Sequence, residues 1–418
     1  MTIALVNLNS YLGGGETLLV RWSEYLHKEG YDFKSFFVAG SYIEKDLNRI
    51  GIPIFNQCPI SSPVDYYYLK DNQRMQLRGE ISKYLQNDED VVFVSFDARD
   101  LYTVFDISKN NERYRVAHLI LHDEDNLYVC QSLLDKFNLR FRKIRNFTAT
   151  RMLAFNCKLF NEVSRQGVVI PMCEYQCDIW KNNFGINIDK TLTVPLPVCD
   201  FSKIDHEVPA QNHKILWIGR IVDFKIPSLC AMIDYVGENP KYSLTIIGGG
   251  DLDYVHRYIR KKGYDESFYK FEGKVNYADL PSIIKQHSIG YAMGTSPVEI
   301  GKHGLPVIMA LGKLDYKNFE KPVCGGLFIN ISKGNCGGSL YSNEPNDKVV
   351  MIKDVIEELE SDFNNLSLQC YNYLRDNYDS ETNFALYTDY VMKAGFIKSE
   401  LKVPHASKVR RLLYYRFR

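Results

Sequence analysis

The sequence has no surplus of either charge: Lys and Arg together number 51, as do Asp and Glu, so the 418-residue chain is formally neutral. A protein that coats nucleic acid by neutralising phosphates carries a basic surplus, and no nucleic-acid partner is expected. No apolar run is long enough to span a bilayer. The first residues enter a strand pattern directly, where a signal peptide would show a basic start and an apolar stretch. The 10 cysteines are scattered. Cys173 and Cys177 lie close together, but no second pair completes a zinc spacing, and free thiols in a reducing cytoplasm are expected. No "GK[ST]" closes a glycine loop as in a P-loop, and no "GxGxxG" follows an opening strand. The acidic pair in "DLD", Asp251 and Asp253, follows a glycine turn and reads as a helix start, so no metal site is expected.

The chain is too long for one core, and two domains are the default. Short apolar runs alternate with helical patterns almost throughout. "TIALVNL", "DFKSFFVAG", "VVFVSFDA", "RVAHLILH", "GVVIPM" and "TLTVPLP" read as strands; "IEKDLNRIG", "RMQLRGEISKYLQN" and "YQCDIWKNNFG" read as helices with Gly or Asn stops. The alternation predicts parallel sheets wrapped by helices. It breaks in "PLPVCDFSKIDHEVPAQNH" and restarts with "KILWIGR", "SLTIIGGG", "FYKFEG", "SIGYAM" and "LPVIMA". We therefore expect an α/β chain of two doubly wound parallel-sheet domains, residues 1–197 and 214–378, with a linker at 198–213. Residues 379–418 would form a helix returning to the first domain and a tail.

Ligands of such sheets bind outside the carboxyl ends of the strands, so chemistry-bearing residues at those ends are the candidates. "NLNSYLGGGETLLVRW" puts Gly13 to Gly15 between the first strand and a helix carrying Leu18, Leu19, Trp22, Tyr25 and Leu26 at helical spacing. Bare amides at a helix start favour an anion; a plain tight turn reads the same way. Glu16 is a helix-start charge or a sugar contact. "WIGRIVDFK" places Gly219, Arg220 and Lys225 at a strand end. Two cations there fit a diphosphate, Arg by forked bonds and Lys as a point charge; the alternative is a solvated pair bound to Asp223. In "IIGGGDL", Gly248 to Gly250 allow close backbone approach, for packing or near a ligand. In "FEGKVNYADL", the backbone around Gly273, Lys274 and Val275 either reads a base or forms an ordinary loop. "YAMGTSPVEIGKHGLPVI" sets Gly294, Thr295 and Ser296 at a turn with Glu299 in the short helix that follows. The hydroxyls and amides suit a phosphate, and the carboxylate suits two vicinal hydroxyls; otherwise Ser296 is an N-cap and Glu299 a favourable charge near a helix start. His122, in "HLILHDEDN", can bond a sugar hydroxyl or a departing phosphate, whereas His118 within the strand reads as buried.

Together these stretches resemble the GT-B glycosyltransferases, in particular the large retaining family 4. "GGGE" is similar to that family's first-strand loop, "GRIVDFK" to its diphosphate clamp, "LTIIGGGD" to its second-domain strand, and "GTSPVEIGKHGLPVI" to its nucleotide-sugar segment. The resemblance implies two Rossmann-like domains facing a central cleft and transfer of a sugar from a UDP- or GDP-linked donor to a hydroxyl, without a metal or other cofactor. By it, Arg220 and Lys225 hold the donor diphosphate, Glu299 the ribose, and Thr295 and Ser296 phosphate. Gly14 and Gly15 lie against the donor sugar and phosphate, and His122 faces the reacting sugar. Gly219, Gly249, Val275 and Gly294 complete the donor contacts. Many members carry a second glutamate eight positions before the ribose glutamate; that position is Tyr291 here.

The resemblance also implies front-face substitution, in which the leaving diphosphate oxygen takes the acceptor hydroxyl's proton. The closing "KVRRLLYYRFR" interleaves Lys408, Arg410, Arg411, Arg416 and Arg418 with Leu412, Leu413, Tyr414, Tyr415 and Phe417. That pattern suits an anionic membrane surface, and fits a lipid-linked glycan acceptor in bacterial surface polysaccharide synthesis at the inner face of the membrane. A solvated end is the alternative. The rival functions are a degenerate accessory subunit, for which Tyr291 is the argument, and a nucleotide-sugar 2-epimerase, which needs acid–base carboxylates such as Asp97, Asp100 or Asp123. A nicotinamide oxidoreductase lacks its glycine fingerprint.

Overall fold

The computed structural model describes residues 1–8, 14–61, 65–121, 142–204, 206–312, 314, 319–331, 333–335, 349–406 and 411. The chain divides into two units, Met1–Val194 with Phe384–Arg418, and Pro195–Asn383. Each is built on one all-parallel sheet.

In the first unit the strands are β1 (Thr2–Asn7), β2 (Phe33–Val38), β3 (Gln57–Ile60), β4 (Val91–Ser95), β5 (Tyr114–Ile120) and β6 (Val168–Pro171). They lie in the order β3-β2-β1-β4-β5-β6, every pair parallel. Every residue of β1 and β4 is buried. A strand covered on both faces carries a continuous apolar run rather than an alternating one, which is why "TIALVN" and "VVFVS" stand out in the sequence. The helix Gly14–Lys28 follows β1, and its Trp22 is fully buried. The indole Nε1 donates to Thr388 Oγ1 at 3.1 Å, and the ring packs on Phe384 and Tyr387 of the late helix Ser380–Met392. Tyr387 in turn donates to the Val194 carbonyl at 3.0 Å.

In the second unit β7 (Lys214–Ile218), β8 (Ser243–Ile247), β9 (Tyr269–Gly273), β10 (Ile289–Ala292) and β11 (Val307–Met309) lie in the order β11-β10-β7-β8-β9, again all parallel. Both sheets are therefore doubly wound. The strand order reverses beside β1 in the first and beside β7 in the second, and a crevice opens at the carboxyl ends of the strands flanking such a reversal.

Two stretches differ from the sequence expectation. "TLTVPLP" is no strand: a short 3-10 turn, Lys190–Leu192, leads into extended chain. Pro195 and Pro197 have no N–H to give a ladder. The aperiodic segment expected to link the domains packs within the second unit. Val198 and Phe201 are buried in a cluster with Tyr371 and Tyr378, and Val198 N donates to the Tyr378 carbonyl at 3.2 Å.

The glycines after β8 have a packing cause. A Cβ at Gly248 would stand 2.0 Å from the Gly219 carbonyl oxygen, and one at Gly250 2.0 Å from that of Ile221, with φ of 145° and 137°. These contacts let the chain beyond β7 and β8 stay paired, with Ile221 N donating to Gly249 O at 2.9 Å. Gly14 is different: a Cβ there would meet nothing within 4 Å. Gly248→Ala is expected to lower unfolding stability by at least about 2 kcal/mol, from backbone strain and the clash. Gly14→Ala is expected to change it by less than about 0.5 kcal/mol. Urea unfolding midpoints of the two variants check both.

Candidate functional site

At the end of β7, Gly219 turns the chain and Arg220 projects exposed. Lys225 is half-buried at the N-cap of the helix Ile226–Glu238. Among the described residues neither side chain has an ion pair or hydrogen bond. Asp223 does not pair with them; its Oδ1 accepts from the Phe224 amide at 2.8 Å. Burial, and then the Arg220 charge, push the Lys225 ammonium below its usual pKa. Two cations that disfavour each other at one strand end form a site with an uncompensated demand for an anion. A Cβ on Gly219 would stand 3.4 Å from Lys225 Nζ, an ordinary contact distance.

β10 adjoins β7 on the other side of the reversal. Its chain runs through Met293 into Gly294, which holds φ at 74° with open space where a Cβ would stand. Thr295 is the N-cap of the helix Ser296–Gly301, so Ser296 is its first residue rather than its cap. Neither hydroxyl makes a hydrogen bond among the described residues. Glu299 lies one turn in. Its Oε2 accepts from Lys302 Nζ at 2.5 Å and from Tyr277 OH at 2.8 Å, and Lys302 also donates to Tyr277 OH at 3.1 Å. Burial disfavours the Lys302 charge, but the Glu299 carboxylate outweighs it and holds the ammonium above its usual range. Lys302 was legible as an i,i+3 partner. Tyr277, 22 residues away, carried no sequence signal.

Gly249 and Val275 are drawn into packing. The Lys274 stem covers Gly249, where a Cβ would stand 2.8 Å from its Cε. The Val275 side chain packs on the cluster beneath the sheet. Tyr291 is a core residue: it is fully buried in β10, donates to the Ser228 carbonyl at 3.0 Å and packs on Trp217. Counting back from Glu299 lands inside the strand because the loop between β10 and the helix is short.

In the first unit, Gly14 and Gly15 open the helix after β1, Gly14 exposed and Gly15 facing Asn7, Phe96 and Leu121. Glu16 is buried and turned inward, its Oε1 accepting from Asn7 Nδ2 at 3.3 Å. Asp97, at the end of β4, caps the helix Ala98–Ser108 and holds Arg99 at 2.6 Å. Asp100 is buried; Oδ1 accepts from the Leu8 amide at 3.0 Å, and among the described residues Oδ2 has no partner. Neither Asp97 nor Asp100 is placed as a free acid–base group. His118 is buried within β5 beside Ser95, at 2.9 Å. Gly13, His122 and Asp123 lie outside the described residues, as does the basic, aromatic tail apart from Arg411. Among the described residues no three His, Cys, Asp or Glu side chains gather to hold a metal, and no helix is long and apolar enough to cross a membrane.

Burial first, then the charges of Asp97 and Glu16, raise the Asp100 pKa well above the usual carboxylate range, against the Leu8 amide and Arg99. The fold thus binds a proton that the unfolded chain releases, and this contribution to stability is lost as pH rises from the ordinary carboxylate range through the raised value. Asp100→Asn keeps the acceptor for Leu8 and removes the proton. Its urea midpoint is expected to fall less than the wild-type midpoint between about pH 4 and about pH 8; parallel curves would contradict the protonated assignment.

No protein-family model matches the chain, and no curated protein matches it. Solved structures do. HepE of Anabaena in complex with UDP is 16% identical, with a TM-score of 0.60 over 94% of this chain and 100% of that one. A glycosyltransferase from Rickettsia africae is 12% identical, with a TM-score of 0.61 over 94% and 98%. The lipopolysaccharide outer core galactosyltransferase WaaB, in its apo form, is 13% identical, with a TM-score of 0.55 over 94% and 99%. With two parallel-sheet α/β units and these neighbours, the chain has the GT-B fold of such glycosyltransferases.

Proposed function

We propose that the chain is a glycosyltransferase that moves a sugar from a nucleoside-diphosphate sugar to a hydroxyl acceptor. The observation that carries this is the pairing of unlike groups at adjacent strand ends of the second unit. Among the described residues Arg220 and Lys225 stand without counter-ions after β7, and Glu299 keeps a free oxygen after β10. A diphosphate answers the first and a ribose diol the second. The fold neighbours support a UDP-linked donor: HepE is complexed with UDP and with UDP-glucose, and WaaB is a galactosyltransferase.

In this reading Arg220 and Lys225 neutralise the diphosphate as its bond to the anomeric carbon breaks, the countercharge a divalent metal supplies elsewhere. The acceptor oxygen forms its new bond on the same face, and its proton passes to the leaving diphosphate oxygen, so configuration is retained. Thr295 and Ser296 offer hydroxyls to the phosphates. Gly14 and Gly15, with His122, serve the sugar. The acceptor is a lipid-linked glycan of a bacterial surface polysaccharide, and the basic, aromatic tail holds the protein to the inner face of the membrane. The burial of Tyr291 in the strand core weakens the argument for a degenerate binding subunit, because the departure from the family pattern falls in the scaffold.

A thermal-shift panel of UDP, GDP, ADP and CMP and their common sugars, on wild type and Arg220→Ala, tests the reading. A ligand that binds the native state raises the melting temperature by mass action. One nucleotide is expected to stabilise the wild type, and Arg220→Ala to bind it about 10- to 100-fold more weakly, as for the loss of a charged hydrogen bond. Sugar transfer by that variant at the wild-type rate would refute the clamp, and no shift with any nucleotide would refute the donor class.

A further inference from the structure

The hydrogen bonds around Glu299 are uneven. Lys302 Nζ and Tyr277 OH both reach Oε2, and they bond each other, closing a triangle. Within it the Tyr277 hydroxyl has no freedom left, since it donates to the carboxylate and accepts from the ammonium. Among the described residues Oε1 accepts nothing. The side chains of Glu299 and Lys302 are only 15% and 10% exposed, whereas Tyr277 is 60% exposed. The triangle therefore sits at the surface with its ionic part sunk and one carboxylate oxygen left over.

A sunken ion pair adds little net stability, because desolvation offsets the attraction. What it does add is direction. A glutamate on a helix surface samples several rotamers; two donors on one oxygen hold it in one. The preset orientation removes an ordering cost that a ligand would otherwise bear.

We infer that Lys302 and Tyr277 are positioning residues that lock Glu299 by Oε2, so that Oε1 accepts from the ribose diol and makes the site select ribonucleotides over 2′-deoxyribonucleotides. The inference rests on the nucleotide reading above and adds to it the part of the site that decides sugar identity in the nucleoside. Lys302 touches no substrate in this account; it acts through Glu299.

The test is calorimetric titration of UDP, GDP, their 2′-deoxy forms and inorganic pyrophosphate into wild type, Lys302→Met, Lys302→Arg and Tyr277→Phe. Wild type is expected to prefer the ribose form of its nucleotide by at least about tenfold. Lys302→Met should lose most of that preference while its pyrophosphate affinity stays at the wild-type value. Lys302→Arg should recover part of it, and Tyr277→Phe should lie between. An unchanged ribose preference in both Lys302→Met and Tyr277→Phe overturns the inference. So does an equal loss of affinity for pyrophosphate and every nucleotide, the mark of a merely structural role. A wild type that binds nucleotides without ribose preference overturns this inference alone; one that binds neither UDP nor GDP here, nor any nucleotide of the thermal-shift panel, overturns the nucleotide reading with it.

Discussion

Parallel strand pairing is the constraint on which the rest of this molecule depends. In an all-parallel sheet every strand ends at the same edge, and each must be followed by a crossover that begins there. Where the strand order reverses, the crossovers leave to opposite sides and the adjacent strand ends stay uncovered. In the second unit those strands are β7 and β10. Arg220 and Lys225 follow one, and Thr295, Ser296 and Glu299 follow the other, about 75 residues apart in sequence yet at the ends of neighbouring strands. In the first unit the same geometry puts Leu8 and Asp100 within a hydrogen bond across β1 and β4.

Among the described residues, the half-buried cation after β7 differs from the paired charges elsewhere. Asp106 takes Arg78, Lys109 and Tyr66. Asp234 takes Lys262 and Tyr258, and Glu360 takes Lys241, His213 and Tyr242. A half-buried charge that lacks such partners carries its desolvation cost uncompensated. Lys225 bears that cost beside a second cation. Glu299 is the complement: among the described residues it is paired on one oxygen and open on the other. Sites of this kind spend stability on a ligand's charge and shape, and are where a fold departs from its own packing rules.

Much of the scaffold was legible because burial on both faces writes itself into continuous apolar runs. "TIALVN", "VVFVS" and "SLTII" become strands where the pattern puts them. Gly185 ends its helix in a left-handed conformation, with φ of 65°. Legibility failed where chain without a period is nonetheless packed, as at Val198 and Phe201, and where proline cannot join a ladder, as in "TLTVPLP". At the site, the clustering of Arg220 and Lys225 and the short helix bearing Glu299 were readable from spacing. The inward turn of Glu16 onto Asn7, the cover of Gly249 by Lys274 and the burial of Tyr291 were not, because each depends on which neighbour a side chain meets.

Fold class and the residue types at the strand ends were therefore readable before any contact was known, since both follow from local periodicity and from the order of residues along the chain. Which of those residues keep an unused hydrogen-bonding atom, among the described ones, depends on contacts made after folding. Asp223 turns to the Phe224 amide, and among the described residues Arg220 and Lys225 have no counter-ion. Tyr277 arrives from the chain after β9 to donate to Glu299 Oε2. Hydrogen bonds and ion pairs act over a few ångströms in space, and the chain brings such partners together only once its sheets have formed.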